Sequence, residues 1–286
     1  MSFQIRNFSE NEINCLDIPT KECFTACQQG QYFNEKKEKV AISGIKNCLE
    51  KTKFYSDKYV FQVPPLKKKE KGNIEIRNES TLRAAYRMKI LENKENVCAL
   101  SFANAFKPGG GILYGSCAQE ETLCRSSALY YSLIQEKPSQ FYVYHNKNAD
   151  TLGNAASDCM IYTPDCPTWI VDNKKLEKPF LTSYITSAAV NNTSDRSQNV
   201  INEIYEKRIG KIIDCAIENG VKNLVLGAYG CGEFCNDPYE IALLFENCLV
   251  GDEKRYYFES ISFSILGSNT DNIDAFSDAF DLPITP

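Results

Sequence analysis

Three short, nearly continuous apolar runs, VCALSF (97–102), NLVLGA (223–228) and SISFSIL (260–266), punctuate the chain. Runs of this kind predict strands buried on both faces. IEIRN (74–78) alternates with period two and predicts a further short strand. Other apolar runs lie around Cys159–Tyr162, Thr168–Val171 and Tyr184–Ala189. Helical spacing fills the intervals. Ser80 is placed to cap a helix reaching about Asn93, with Leu82, Ala85, Met88 and Leu91 on one face. TLCRSSALYYSLI (122–134) predicts one helical stretch, and Ser197–Asn219 predicts a long helix stopped by Gly220. Asp237 followed by Pro238 predicts the capped start of a helix through DPYEIALLFENCL. Strands alternating with helices define an α/β fold, with a largely parallel sheet sandwiched between helices. Residues 1–75 lack this alternation and read as a helical extension packed on a core of residues 76–286. No internal repeat or low-complexity linker interrupts the chain, so extension and core form one structural unit.

Composition narrows the class. The chain has 286 residues and a net charge of −5, which excludes a general affinity for nucleic acid or anionic membrane. The one basic run, Lys67–Lys71, reads as a solvated loop. No apolar stretch approaches the ~18 residues of a membrane helix, and the first residues lack the apolar core of a secretion signal. The expected compartment is therefore intracellular and reducing. Thirteen cysteines, scattered through apolar segments without a Cys-x-x-Cys, fit free buried thiols there. Cys23/Cys27 and Cys231/Cys235 have wider spacing than Cys-x-x-Cys, His145 is the only histidine, and no metal site is expected. A single histidine also weakens any triad reading, and the polar surroundings of His145, YHNKNAD, predict a surface loop.

Two glycine-rich loops leave predicted buried strands: NAFKPGGG after the first and GAYGCGEF after the second. In such sheets ligands bind beyond the carboxyl ends of strands. Glycines there bring backbone N–H groups close to an anion. Neither loop carries the lysine of a triphosphate-binding loop, and Gly227, Gly230 and Gly232 do not fit Gly-x-Gly-x-x-Gly. A diphosphate ligand is what remains. After a seven-residue spacer from Gly111 stand Gln119, Glu120 and Glu121 at a predicted helix entrance. A carboxyl there is placed to protonate a leaving glycosidic oxygen and then to activate water.

Gly109-Gly110-Gly111, seven residues, then Gln119-Glu120-Glu121 resembles the GGG…QEE signature of poly(ADP-ribose) glycohydrolases, and the flanking FANAFKPGGG and ETLCRSSALY resemble the compact microbial type. IEIRNESTLRAA, MIYTPDCPTWIVDN, YITSAAVN and GAYGCGEFCNDP extend the likeness over roughly residues 25–280. The resemblance implies a macrodomain fold and hydrolysis of the ribose–ribose bonds of ADP-ribose polymers, exo-acting, with release of ADP-ribose. It implies Glu121 as acid/base and Glu120 as the residue orienting the ribose, supported by Gln119. Asn104 and Gly109–Gly111 would bind ribose and diphosphate; Gly230, Cys231, Gly232, Glu233 and Phe234 would form the second diphosphate loop. No cofactor or metal is implied. The implied partners are ADP-ribose polymer or ADP-ribosylated protein, with a monomeric enzyme in cytoplasm or nucleus. Glu233 and Cys235 depart from the small residues usual in that loop, and Glu233 is expected to point outward. TWIVDN also departs; Trp169 reads as a packing residue. Removal of single ADP-ribose units, or ADP-ribose binding without cleavage, are the alternatives; retention of both glutamates argues against the second.

Overall fold

The computed structural model describes residues 6–66, 70–193, 196–267 and 270–285. Most of the basic run, residues 67–69, lies outside the described residues. Capping builds the first helices. In α1 (Glu10–Asn14) Ser9 accepts from Glu12 N–H while the Glu12 carboxylate accepts from Ser9 N–H at 2.7 Å. Asp17 caps α2 (Ile18–Gln29) through Thr20 N–H at 2.9 Å, and Gly30 ends it at φ +66°. A hairpin of β1 (Gln31–Phe33) and β2 (Lys39–Ala41) follows, then α3 (Ile45–Lys51) and β3 (Lys53–Tyr55). The face of α2 with Cys23, Phe24 and Cys27 is buried. Phe24 stacks on Tyr130 at 4.7 Å and meets Tyr131 edge-on at 5.4 Å.

The main sheet takes β4 (Asn73–Arg77), β5 (Val97–Ala103), β6 (Met160–Val171), β7 (Lys174–Ala188), β8 (Asn223–Leu226), β9 (Ser260–Ser264) and β10 (Ile284–Thr285). With β3 it has eight strands in the order β10-β4-β9-β8-β5-β7-β6-β3. Pairings from β10 through β7 are parallel; β7-β6 and β6-β3 are antiparallel. Both β8 and β9 are buried along their whole length. Helices α4 (Thr81–Tyr86), α5 (Gln119–Ser126), α6 (Leu129–Leu133), α7 (Gln140–Lys147), α8 (Ala149–Leu152), α9 (Gln198–Glu218), α10 (Pro238–Glu246) and α11 (Asp271–Phe280) cover the sheet. Two apolar cores result, one including α2 and α4–α7, the other α9–α11.

The structure departs from the sequence reading in five places. Besides its helices the N-terminal extension carries β1–β3, and β3 joins the main sheet beside β6. The apolar runs of 159–189 join into two long antiparallel strands, with a register shift between Thr163 and Cys166. The stretch after Glu121 is two helices, not one. Ser127 is extended and bridges Thr168, and Ala128 N–H donates to Pro167 O at 3.0 Å, so β6 interrupts the helix. The helix from Ser80 is regular only to Tyr86; it widens into π-turns over Arg87–Leu91, and Leu91 is exposed. His145 is not in a surface loop. It lies buried in α7, its Nδ1 bonded to Phe141 O at 2.8 Å and its Nε2 accepting from Ser157 N–H at 3.0 Å. Burial lowers its pKa below the ordinary value and keeps the ring neutral. Trp169 is buried and stacks on Tyr32 at 6.2 Å.

Candidate active site

The carboxyl ends of β4, β5, β7, β8 and β9 converge on a cavity of about 530 Å³. Its walls include Glu79–Leu82 at the start of α4, Phe102–Asn104 at the carboxyl end of β5, and Cys117–Leu123 around the start of α5. Ala189, the loop Ala228–Phe234, and Ser264–Leu266 with Asn272 complete it.

After β5 the chain makes a tight turn. Asn104 Oδ1 accepts from Phe106 and Lys107 N–H groups at 2.8 and 2.9 Å. The glycine segment then folds back over the first turn of α5. Asn104 N–H donates to Glu120 Oε2 at 2.7 Å, and Gly111 N–H donates to Glu121 Oε1 at 2.7 Å. This approach explains the glycines directly. Gly110 sits at φ +58°, and a Cβ there would lie 2.3 Å from Glu121 Oε1 and 3.1 Å from Glu120 Oε2. A Cβ on Gly111 would lie 2.2 Å from Ser116 Oγ.

Each glutamate is buried, and each has one oxygen left without a partner among the described residues: Oε1 of Glu120 and Oε2 of Glu121. Buried polar atoms are normally paired, so two orphans on a cavity wall mark a place for a ligand's donors. Burial pushes the Glu120 carboxyl well above the ordinary carboxylate range, and the neighbouring Glu121 charge adds to this. The N–H groups of Asn104 and Gly109 pull the other way.

That direction has a consequence for stability. Below the ordinary value of 4.5, folded and unfolded chains both carry the proton on this group; above it only the unfolded chain ionises, so stability is lost as pH rises toward the folded value. Glu120→Gln is therefore expected to melt at higher temperature than the native chain, with a gap that widens in thermal scans as pH rises above 4.5. A constant gap would remove the ionisation cost as its source.

Gln119 does not offer its amide to the cavity. Its Oε1 accepts from Phe102 N–H at 2.9 Å, and its Nε2 donates to Leu100 O at 2.8 Å and Thr81 Oγ1 at 3.1 Å. It ties α5 to the end of β5 and to α4. From behind, Arg125 donates to Thr20 Oγ1 at 2.8 Å and lies 3.5 Å from Asp17. The N-terminal segment thus braces the helix that carries both glutamates.

In the second loop Gly230 has φ +82°, and a Cβ there would come within 2.3 Å of Tyr205 Oη. Asn236 Nδ2 staples this loop to the end of β7 through Val190 O and Gly230 O, both at 2.8 Å. Gly232 is exposed, with nothing within 4 Å of a would-be Cβ. Phe234 is half-buried on the cavity wall, while Glu233 is exposed there and has no ion pair among the described residues. Gly109–Gly111 and Cys231 do not line the cavity. Burial pushes the Cys231 thiol up to about 12.

Sequence reading missed the contributions of Glu79–Leu82, Ser264–Leu266 and Asn272. Their signal was available: Glu79–Leu82 directly follow one predicted strand and Ser264–Leu266 are the carboxyl end of another, where an α/β sheet places its ligand.

A mostly parallel sheet under helices, with two neighbouring buried carboxyls at a cavity over its carboxyl edge, defines a macrodomain-like glycosidase. Comparison with known proteins agrees. A family model for the microbial-type PARG (poly(ADP-ribose) glycohydrolase) catalytic domain matches residues 20–170. The poly(ADP-ribose) glycohydrolase of Thermomonospora curvata is similar at 29% identity over 95% of this chain and 100% of that one, with a TM-score of 0.82. A mutant of that enzyme reaches 30% identity over the same shares, with a TM-score of 0.81. The Deinococcus radiodurans enzyme, solved in complex with ADP-ribose, is 28% identical over 85% of this chain and 99% of that one, with a TM-score of 0.73. No curated protein matches. The chain belongs to the microbial-type poly(ADP-ribose) glycohydrolases.

Proposed function

We propose that the chain cleaves the ribose–ribose O-glycosidic bond of ADP-ribose polymers from the free end and releases ADP-ribose. The observation that carries this reading is the Glu120/Glu121 pair: one oxygen of each is fixed by a loop N–H, and the other is buried and unpartnered at the cavity. Glu121 protonates the leaving 2′-oxygen of the neighbouring unit as positive charge develops on the ribose. It then takes a proton from the water that attacks the same carbon. Glu120, whose carboxyl burial pushes up, hydrogen-bonds the ribose hydroxyls beside the bond, as does the Nδ2 end of Asn104. Gln119 acts one step back, by fixing the helix.

The diphosphate lies against the backbone of Gly230–Phe234, where the exposed Gly232 leaves room for close approach, and Phe234 packs on the ligand. The carboxylate of Glu233 stays in solvent, where a like charge costs about 1 kcal/mol. A volume of about 530 Å³ falls in the usual range for small-ligand sites. Relatives solved with ADP-ribose and with the inhibitor ADP-HPD support this occupant. No cofactor takes part. We further infer a monomer working on polymer or ADP-ribosylated protein in the cytoplasm or nucleus. Thirteen free thiols fit a reducing compartment, and no helix among the described residues is long and apolar enough to cross a membrane.

The test offers polymer on an automodified polymerase beside peptides bearing one ADP-ribose on serine or on a carboxylate. Release of ADP-ribose from polymer with little from the peptides is expected. Release from the peptides alone would make this a mono-ADP-ribosyl hydrolase, and ADP-ribose binding without release from any of them would make it a reader.

A further inference from the structure

The cavity described above holds the unit at the end of the polymer. The unit that leaves must lie outside it, past Glu121. Its bonding places it closely: the leaving 2′-oxygen is separated from the adenine N9 only by C2′ and C1′ of the same ribose. An adenine must therefore sit within a nucleoside's breadth of Glu121.

The surface there is the loop Phe106–Cys117. Phe106, Leu113 and Tyr114 are 39%, 38% and 78% exposed, and none of them lines the cavity. Tyr114 is two backbone hydrogen bonds from the carboxyl. Its N–H donates to Gly111 O at 2.9 Å, and Gly111 N–H holds Glu121 Oε1 at 2.7 Å. The turn that carries it is braced, because Ile112 is buried and its carbonyl accepts from Thr20 Oγ1 at 3.4 Å. Lys107 Nζ lies 5.4 Å from the centre of the Tyr114 ring. An aromatic ring this exposed on a fixed turn contributes little to packing, and a cation beside it suits an anionic ligand.

We propose that Tyr114 and Lys107 form the subsite for the leaving unit, with Tyr114 stacking the adenine next to the scissile bond and Lys107 facing its phosphates. This rests on the polymer-cleaving reading. Base–aromatic stacking makes about a ten-fold affinity difference on substitution by alanine.

The experiment uses full-length Glu121→Gln protein, so that substrate survives, and compares binding of ADP-ribose with binding of a two-unit oligomer. The oligomer is expected to bind about ten-fold tighter. Adding Tyr114→Ala removes that preference and leaves the affinity for ADP-ribose unchanged; Tyr114→Phe keeps the preference. Lys107→Ala lowers it and flattens its salt dependence. An undiminished preference in the Tyr114→Ala background, or an equal loss for ADP-ribose itself, would overturn the subsite. Failure of native protein to cut polymer is a separate result and strikes the functional reading instead.

Discussion

Glu121→Gln is expected to lower ADP-ribose release from polymer by roughly a thousand-fold, the scale of a lost general acid/base, while ADP-ribose still binds. The amide is isosteric, and its oxygen can still accept from Gly111 N–H, so the loop that closes over α5 keeps its anchor. What disappears is the transferable proton. Release kinetics and binding calorimetry on the same preparation separate the two effects. Full activity would remove Glu121 from the chemistry. Glu120→Gln is expected to cost less, since a glutamine still hydrogen-bonds a ribose hydroxyl. If the order is reversed, proton transfer passes to Glu120, the carboxyl whose proton affinity burial raises.

The contrast between these neighbours is legible only in part from sequence. Adjacency of Glu120 and Glu121 at a helix start is plain in the residues, and so is the pair of glycine loops after buried strands. Which carboxyl is pushed up is not, because that depends on burial contributed by segments far away in the chain. The same limit applies to the fold. Strands β5, β8 and β9 are short apolar runs and declare themselves. The hairpin of β6 and β7 does not, because in its outer part, Lys174–Pro179, charged residues surround the single aliphatic Leu176 and no apolar run shows. His145 was misplaced for a related reason. Its sequence neighbours are polar, but the ring is buried against Phe141 and Ser157, and a one-dimensional window sees only the former. Gln119 reads as part of a signature facing substrate, yet its amide is spent inside the protein; the groups it meets, Phe102, Leu100 and Thr81, come from two other elements.

The glycines carry the last and sharpest expectation. Read from sequence, Gly109–Gly111 suggest a cradle for the ligand's phosphate. In the structure the middle glycine is needed first by the enzyme itself. Gly110→Ala is expected to abolish most activity and to destabilise the fold together. The left-handed conformation at φ +58° costs an L-residue about 1–2 kcal/mol. Its Cβ would stand 2.3 Å from Glu121 Oε1, so either the loop lifts or the carboxyl turns away from Gly111 N–H. A shift of about 1 Å in a reacting group costs on the order of a hundred-fold in rate. Gly232→Ala in the second loop is the matched control. It has no positive φ and no atom within 4 Å of the added carbon, so its melting temperature should stay close to native. Any loss there should appear in KM, as the diphosphate meets the new methyl, with kcat preserved. Thermal melting and release kinetics on the two variants test this pair. Equal destabilisation by both, or a Gly110→Ala enzyme with native kcat, would show that the glycine run serves the ligand alone and that Glu121 does not depend on the closeness of the loop above it.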